Sequence, residues 1–150
     1  MRTATKGFTL LELLIVISIM IIVGGVVMGS LADARERMAL RGASAEVAGA
    51  LLKARTSALM GRGTSNHGVY FEDATHLRIF QGSSFPGVGE TVDLSILGPV
   101  TLPASVAGTS IIFSRLTGET PSNYSMDLAH PSGRTTNISV NHEGVIDTDN

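Results

Sequence analysis

From Phe8 to Leu31 the sequence reads FTLLELLIVISIMIIVGGVVMGSL, an apolar run in which Glu12 is the only charge. About 20 consecutive apolar residues suffice for a helix to span a bilayer. A carboxylate inside such a run is expensive in lipid and marks a functional position. The residues before the run, Met1 to Gly7, carry Arg2 and Lys6. That bias places the N-terminus in the cytoplasm and the rest of the chain outside. No spacer separates Gly7 from Phe8.

Cutting the bond after Gly7 would create an α-amino group on Phe8. That cation suits a Glu12 carboxylate on a neighbouring molecule, because residues along one helix cannot fold back on each other. Pairing neutralises two charges that would be costly alone in an apolar bundle. A secretory signal peptide, with Ala32-Asp33-Ala34 as its cleavage site, is the first alternative. Its apolar core would be much shorter and would not carry Glu12 near its start. A plain single-pass anchor leaves Gly7 and Glu12 without a reason.

The hexapeptide Gly7-Phe8-Thr9-Leu10-Leu11-Glu12, joined to a basic leader and a full-length apolar run, resembles the processing site of type IV pilins and type II secretion pseudopilins. The resemblance implies a prepilin peptidase cutting between Gly7 and Phe8, N-methylation of Phe8, and Glu12 aligning subunits during filament assembly. It also implies other pilin or pseudopilin subunits and a secretion or pilus assembly platform as partners. The protein would sit in the inner membrane as a single-pass subunit, its head periplasmic or extracellular, and then pass into a filament.

The chain has 150 residues, enough for one domain plus an extended element. Removing residues 1–7 takes away Arg2 and Lys6 and moves the formal net charge from −2 to −4. A mildly acidic product argues against nucleic acid as a partner. There is no cysteine, which excludes disulfides, thiolate metal sites and cysteine catalysis.

Beyond the leader, residues 8–31 read as a transmembrane and assembly helix. Gly24, Gly25 and Gly29 interrupt its second half, at about 1 kcal/mol each relative to alanine. Gly25 and Gly29 have the spacing of a helix-packing face; a segment that bends or melts on leaving the membrane is the second reading, and glycine simply tolerated in lipid is the third. Residues 32–60 continue as an amphipathic half. Leu40, Ala43, Val47, Leu51, Ala54 and Ala58 recur at steps of three and four, one face of a helix. Gly61 and Gly63 are placed to stop it.

Residues 61–150 read as a β-rich head packed on residues 40–60. His67 to Glu72 and Thr75 to Phe80 form a hairpin around Asp73-Ala74. Further strands are expected at Thr91 to Leu97, Val100 to Leu102, Ser110 to Phe113, Tyr124 to Ala129, Arg134 to Val140 and Val145 to Asp147. The fold class is therefore α+β and pilin-like: a long N-terminal helix, membrane-spanning then amphipathic, against two small antiparallel sheets. Within that family, Ala54 to Ala58, Gly68 to Asp73, Ile112-Phe113-Ser114 and Val140 to Val145 follow an order similar to the GspH/FimT group of minor pseudopilins and minor pilins. That implies a minor pseudopilin supporting pseudopilus assembly and protein export in a type II secretion system. The alternatives are a minor or major type IV pilus subunit in adhesion or motility, and a DNA-binding pilin for DNA uptake.

Chemistry is thin elsewhere. His67, His76, His130 and His142 show no ligand spacing and read as solvated loop residues, so no metal site is expected. Asp147, Asp149 and Asn150 read as an acidic tail. No nucleophile elbow or phosphate loop is present, so no catalytic residue, enzyme activity or cofactor is expected. DNA-uptake relatives imply a Gly-Arg-x-Arg segment, but Glu143-Gly144-Val145-Ile146-Asp147 stands there instead. Arg115 and Arg134 read as two solvated arginines on turns.

Overall fold

The computed structural model describes residues 7–87, 92–96 and 98–149, and within these no side chain at 26–30. The leader charges Arg2 and Lys6 lie outside the described residues. Two compact units are present, Met1–Arg35 and Glu36–Asn150. Helix α1, Leu10–Leu59, contributes its first half to one and its second half to the other.

In the first unit the helical backbone continues through Gly24, Gly25 and Gly29. A Cβ added at Gly24 or Gly25 would meet nothing within 4 Å, so neither is explained by packing inside the chain. Gly29 lies among the residues whose side chains are outside the description. The large apolar side chains from Leu10 to Val23 are exposed, Leu10 by 82%. Among the described residues, no helix is long and apolar enough to cross a membrane.

The second unit has a core of its own. Leu40, Ala43, Val47, Leu51, Ala54 and Ala58 are all buried, as their spacing predicts, and Ser44 and Ala50 join them. Small residues at five of these eight positions let the helix axis come close to the sheets. The helix ends in a Schellman motif: Arg62 N–H donates to the Ser57 carbonyl and Gly61 N–H to the Ala58 carbonyl. Gly61 takes the left-handed conformation this requires, φ 62°.

Seven strands follow: β1 His67–Phe71, β2 His76–Gln81, β3 Val92–Ser95, β4 Ser110–Phe113, β5 Tyr124–Ala129, β6 Thr135–Val140 and β7 Ile146–Thr148. They form two antiparallel sheets, ordered β3-β2-β1-β4 and β5-β6-β7. In the first sheet the register aligns Val69 with Ile79 and Ile111, and Phe71 with Leu77. With Phe113, these side chains form one face, which packs into the core with the helix. Met126, Leu128, Ile138 and Val140 supply the core face of the second sheet. Its outer face is polar: Asn137 donates to Asp127 at 2.6 Å and to Ser125 at 2.9 Å.

The first sheet is covered on its other face too. Phe85 stacks on Tyr70 with ring centroids 4.1 Å apart and meets Phe80 edge-on at 5.6 Å. Gly68 leaves room for this cluster, since a Cβ there would lie 2.8 Å from both Phe80 and the Ile111 carbonyl.

Two expected strands are corrected. Val100 to Leu102 is not a strand: Thr101 makes a single bridge to Ala129, while Val100 and Leu102 are buried beside it. Pro99 and Pro103, which lack an N–H, bracket the segment and limit further pairing. The expected strand over 91–97 is formed by Val92–Ser95, with Ile96 buried just beyond it; Thr91 and Leu97 lie outside the described residues.

Candidate functional site

The segment that the sequence singles out is Gly7 to Glu12. Gly7, Phe8 and Thr9 are non-helical, and α1 begins at Leu10. Gly7 has open space where a Cβ would be, and Phe8 is 81% exposed. Thr9 is the N-cap. Its carbonyl accepts the Leu13 N–H at 3.2 Å, and its Oγ1 accepts the Glu12 N–H at 3.3 Å. Glu12 is thus the third residue of the helix, the spacing of a capping box. Its carboxylate lies in the first turn, where the helix dipole favours negative charge. The reading from sequence assigned no role to Thr9. The Thr-x-x-Glu spacing was the signal that could have found it.

Phe8 and Glu12 are both exposed among the described residues. This arrangement offers a bond open to cleavage, followed by a carboxylate on an apolar helix. Residues 2–28 match the family model described as the prokaryotic N-terminal methylation motif. The N-terminus carries this methylation motif. The motif is the hallmark of type IV pilins and pseudopilins, and it implies processing by a prepilin peptidase and assembly with other pilin subunits. No curated protein and no solved structure matches the chain.

The head holds the remaining candidates apart. His67 is not a solvated loop residue: it lies in β1, only 8% exposed. Burial, and repulsion by Arg62, hold its imidazole below the usual value of 6.5. His76 Nδ1 sits 2.9 Å from Asp73, at the hairpin turn. Backbone N–H groups of Thr75 and His76 hold the Asp73 carboxyl well below the usual carboxylate range. His130 Nδ1 faces the Ser132 hydroxyl at 2.8 Å, again within a turn. His142 serves through its backbone N–H, which donates to Asn123 Oδ1 at 2.7 Å. No three of the described histidine, aspartate or glutamate side chains gather as a metal cluster. Asp147 Oδ1 accepts the Thr148 N–H, and Asp149 lies across a shallow groove from Arg37 and Arg41.

The two arginines are also placed. Arg134 is not simply solvated, since its Nε lies 3.1 Å from Glu36. Arg115 lies close to Gly61 at the helix C-terminus, and its backbone N–H donates to Asn66 Oδ1. Arg55 donates to the Glu143 carbonyl at 3.0 Å. Thr120 is buried beneath this junction, and its backbone N–H donates to the His142 carbonyl. Segment 140–145 therefore acts as a clasp on the helix.

Proposed function

We propose that this protein is a filament subunit, inserted in the inner membrane, cut between Gly7 and Phe8, and assembled through its N-terminal helix. The observation that carries the reading is the methylation motif at residues 2–28, ending within the apolar run. The continuous apolar sequence 8–31 supports membrane insertion before assembly. The new amine of Phe8, N-methylated, pairs with Glu12 of a neighbouring subunit and sets the register. The apolar helices form the filament core and the β-rich heads face outward. No catalytic role belongs to the chain.

Among filament systems, the order of head segments favours a GspH/FimT-like minor pseudopilin of a type II secretion system, supporting pseudopilus assembly and protein export. A minor or major type IV pilus subunit is the second reading, favoured by the same motif. A DNA-uptake pilin is disfavoured by the sequence Glu143 to Asp147, which is acidic and apolar.

The deciding measurement is the intact mass and N-terminal sequence of protein from native membranes. A start at methylated Phe8 supports the reading. A start at Arg35 makes it an ordinary secreted protein, and an intact Met1 makes it a simple anchor.

A further inference from the structure

We infer that Thr9 is a positioning residue for cleavage between Gly7 and Phe8, because its cap keeps the scissile carbonyl out of the helix. The inference rests on the processing proposed above. Two backbone bonds would form if α1 began two residues earlier, at Phe8. In the i to i−4 pattern, the Glu12 N–H would bond the Phe8 carbonyl and the Leu11 N–H the Gly7 carbonyl. The second bond would occupy the group that hydrolysis attacks. No proline stands at residues 7–12 to prevent this extension.

The cap prevents it. The Glu12 N–H is taken by Thr9 Oγ1 at 3.3 Å, and helix bonding starts with Leu13 to the Thr9 carbonyl. Gly7 and Phe8 are left exposed, with non-helical backbone. Proteolysis is governed by the burial and hydrogen bonding of the backbone being cut. In the step itself, water adds hydroxide to the Gly7 carbonyl carbon, the Gly7–Phe8 C–N bond breaks, and a proton goes to the Phe8 nitrogen. The products are a Gly7 carboxylate and a Phe8 amine. A bond locked in a helix would first have to open locally, and cleavage would fall with the population of the open form. Thr9 supplies that open form beforehand.

The test is kcat/KM for cleavage of the full-length chain by its prepilin peptidase, followed by intact mass. Thr9→Ala and Thr9→Val are expected to slow cleavage about fivefold, the equivalent of the ~1 kcal/mol an N-cap contributes. Thr9→Ser and Thr9→Asn, which can still cap, should stay within about twofold of the native rate. Hydrogen exchange should show the Leu11 amide newly protected in the first pair only. Cleavage of Thr9→Ala at the native rate overturns the inference. So does Thr9→Asn cut as slowly as Thr9→Ala, which would mean that the peptidase reads the threonine itself. A native chain left uncut overturns the processing reading and this inference together.

Discussion

Replacing Gly144 by alanine tests the clasp, because two separate penalties can be told apart there. Gly144 has φ 75°, so any side chain incurs the left-handed penalty of about 1–2 kcal/mol. Its Cβ would also fall 2.0 Å from the Gly118 carbonyl oxygen, a backbone atom, and 2.9 Å from Arg55 Nε. Segments 117–120 and 141–145 must then move apart. That loosens the Arg55 bond to the Glu143 carbonyl and the Thr120 bond to the His142 carbonyl. These contribute about 1.5–3 kcal/mol for the charged donor and about 1 for the neutral one. The expected total is about 3.5–6 kcal/mol. Gly133→Ala is the control: φ is 88°, but a Cβ there meets nothing within 4 Å, so only the first penalty of about 1–2 kcal/mol applies. Urea unfolding followed by tyrosine fluorescence should place the Gly144→Ala midpoint roughly 1–2 M below that of Gly133→Ala, at a slope of about 2 kcal/mol/M. Equal midpoints would refute the steric argument and with it the clasp.

Other outcomes follow from the same structure. Leu51→Ala, at a fully buried helix position, should lower head stability by about 2–5 kcal/mol in the same assay, with processing at Gly7 unchanged. Glu12→Gln should leave membrane association intact and deplete the sheared filament fraction; native incorporation would sink the register role. Gly7→Ala should block maturation, read as a retained leader by intact mass. The folded-state value of His67 is depressed, so the unfolded chain takes up its proton first. Head stability is then full above about pH 6.5 and falls as pH drops toward the depressed value. The urea midpoint measured from pH 8 to pH 5 should show that fall, and His67→Gln should flatten it.

The helix and its buried face were legible because one short period carries them: six apolar residues at steps of three and four all lie in the core. Tyr124 to Ala129 and Ser110 to Phe113 were readable from end to end, each a β-prone run bounded by turn residues. Val100 to Leu102 was misread because its apolar residues are buried without a partner strand, a distinction that local pattern does not carry. His67 was misplaced for a related reason. Its burial follows from pairing with Phe113, which lies far along the chain. At the N-terminal segment, spacing and charge single out Gly7, Phe8 and Glu12, and the methylation motif spans all three. Thr9 was passed over because a hydroxyl beside an apolar run looks inert until the helix start is fixed. Arg55 was hidden likewise, since its acceptor is a backbone carbonyl and no side chain announces it.

Three of the four sheet edges in the head are short strands, four residues each in β3 and β4 and three in β7; the fourth, β5, has six residues and is bridged at its end where Thr101 meets Ala129. Such edges offer little template for strand addition. Many copies could therefore be crowded side by side without zipping into a shared sheet, and each would remain separable from its neighbours. An assembly of these heads would be held by whatever joins their helices.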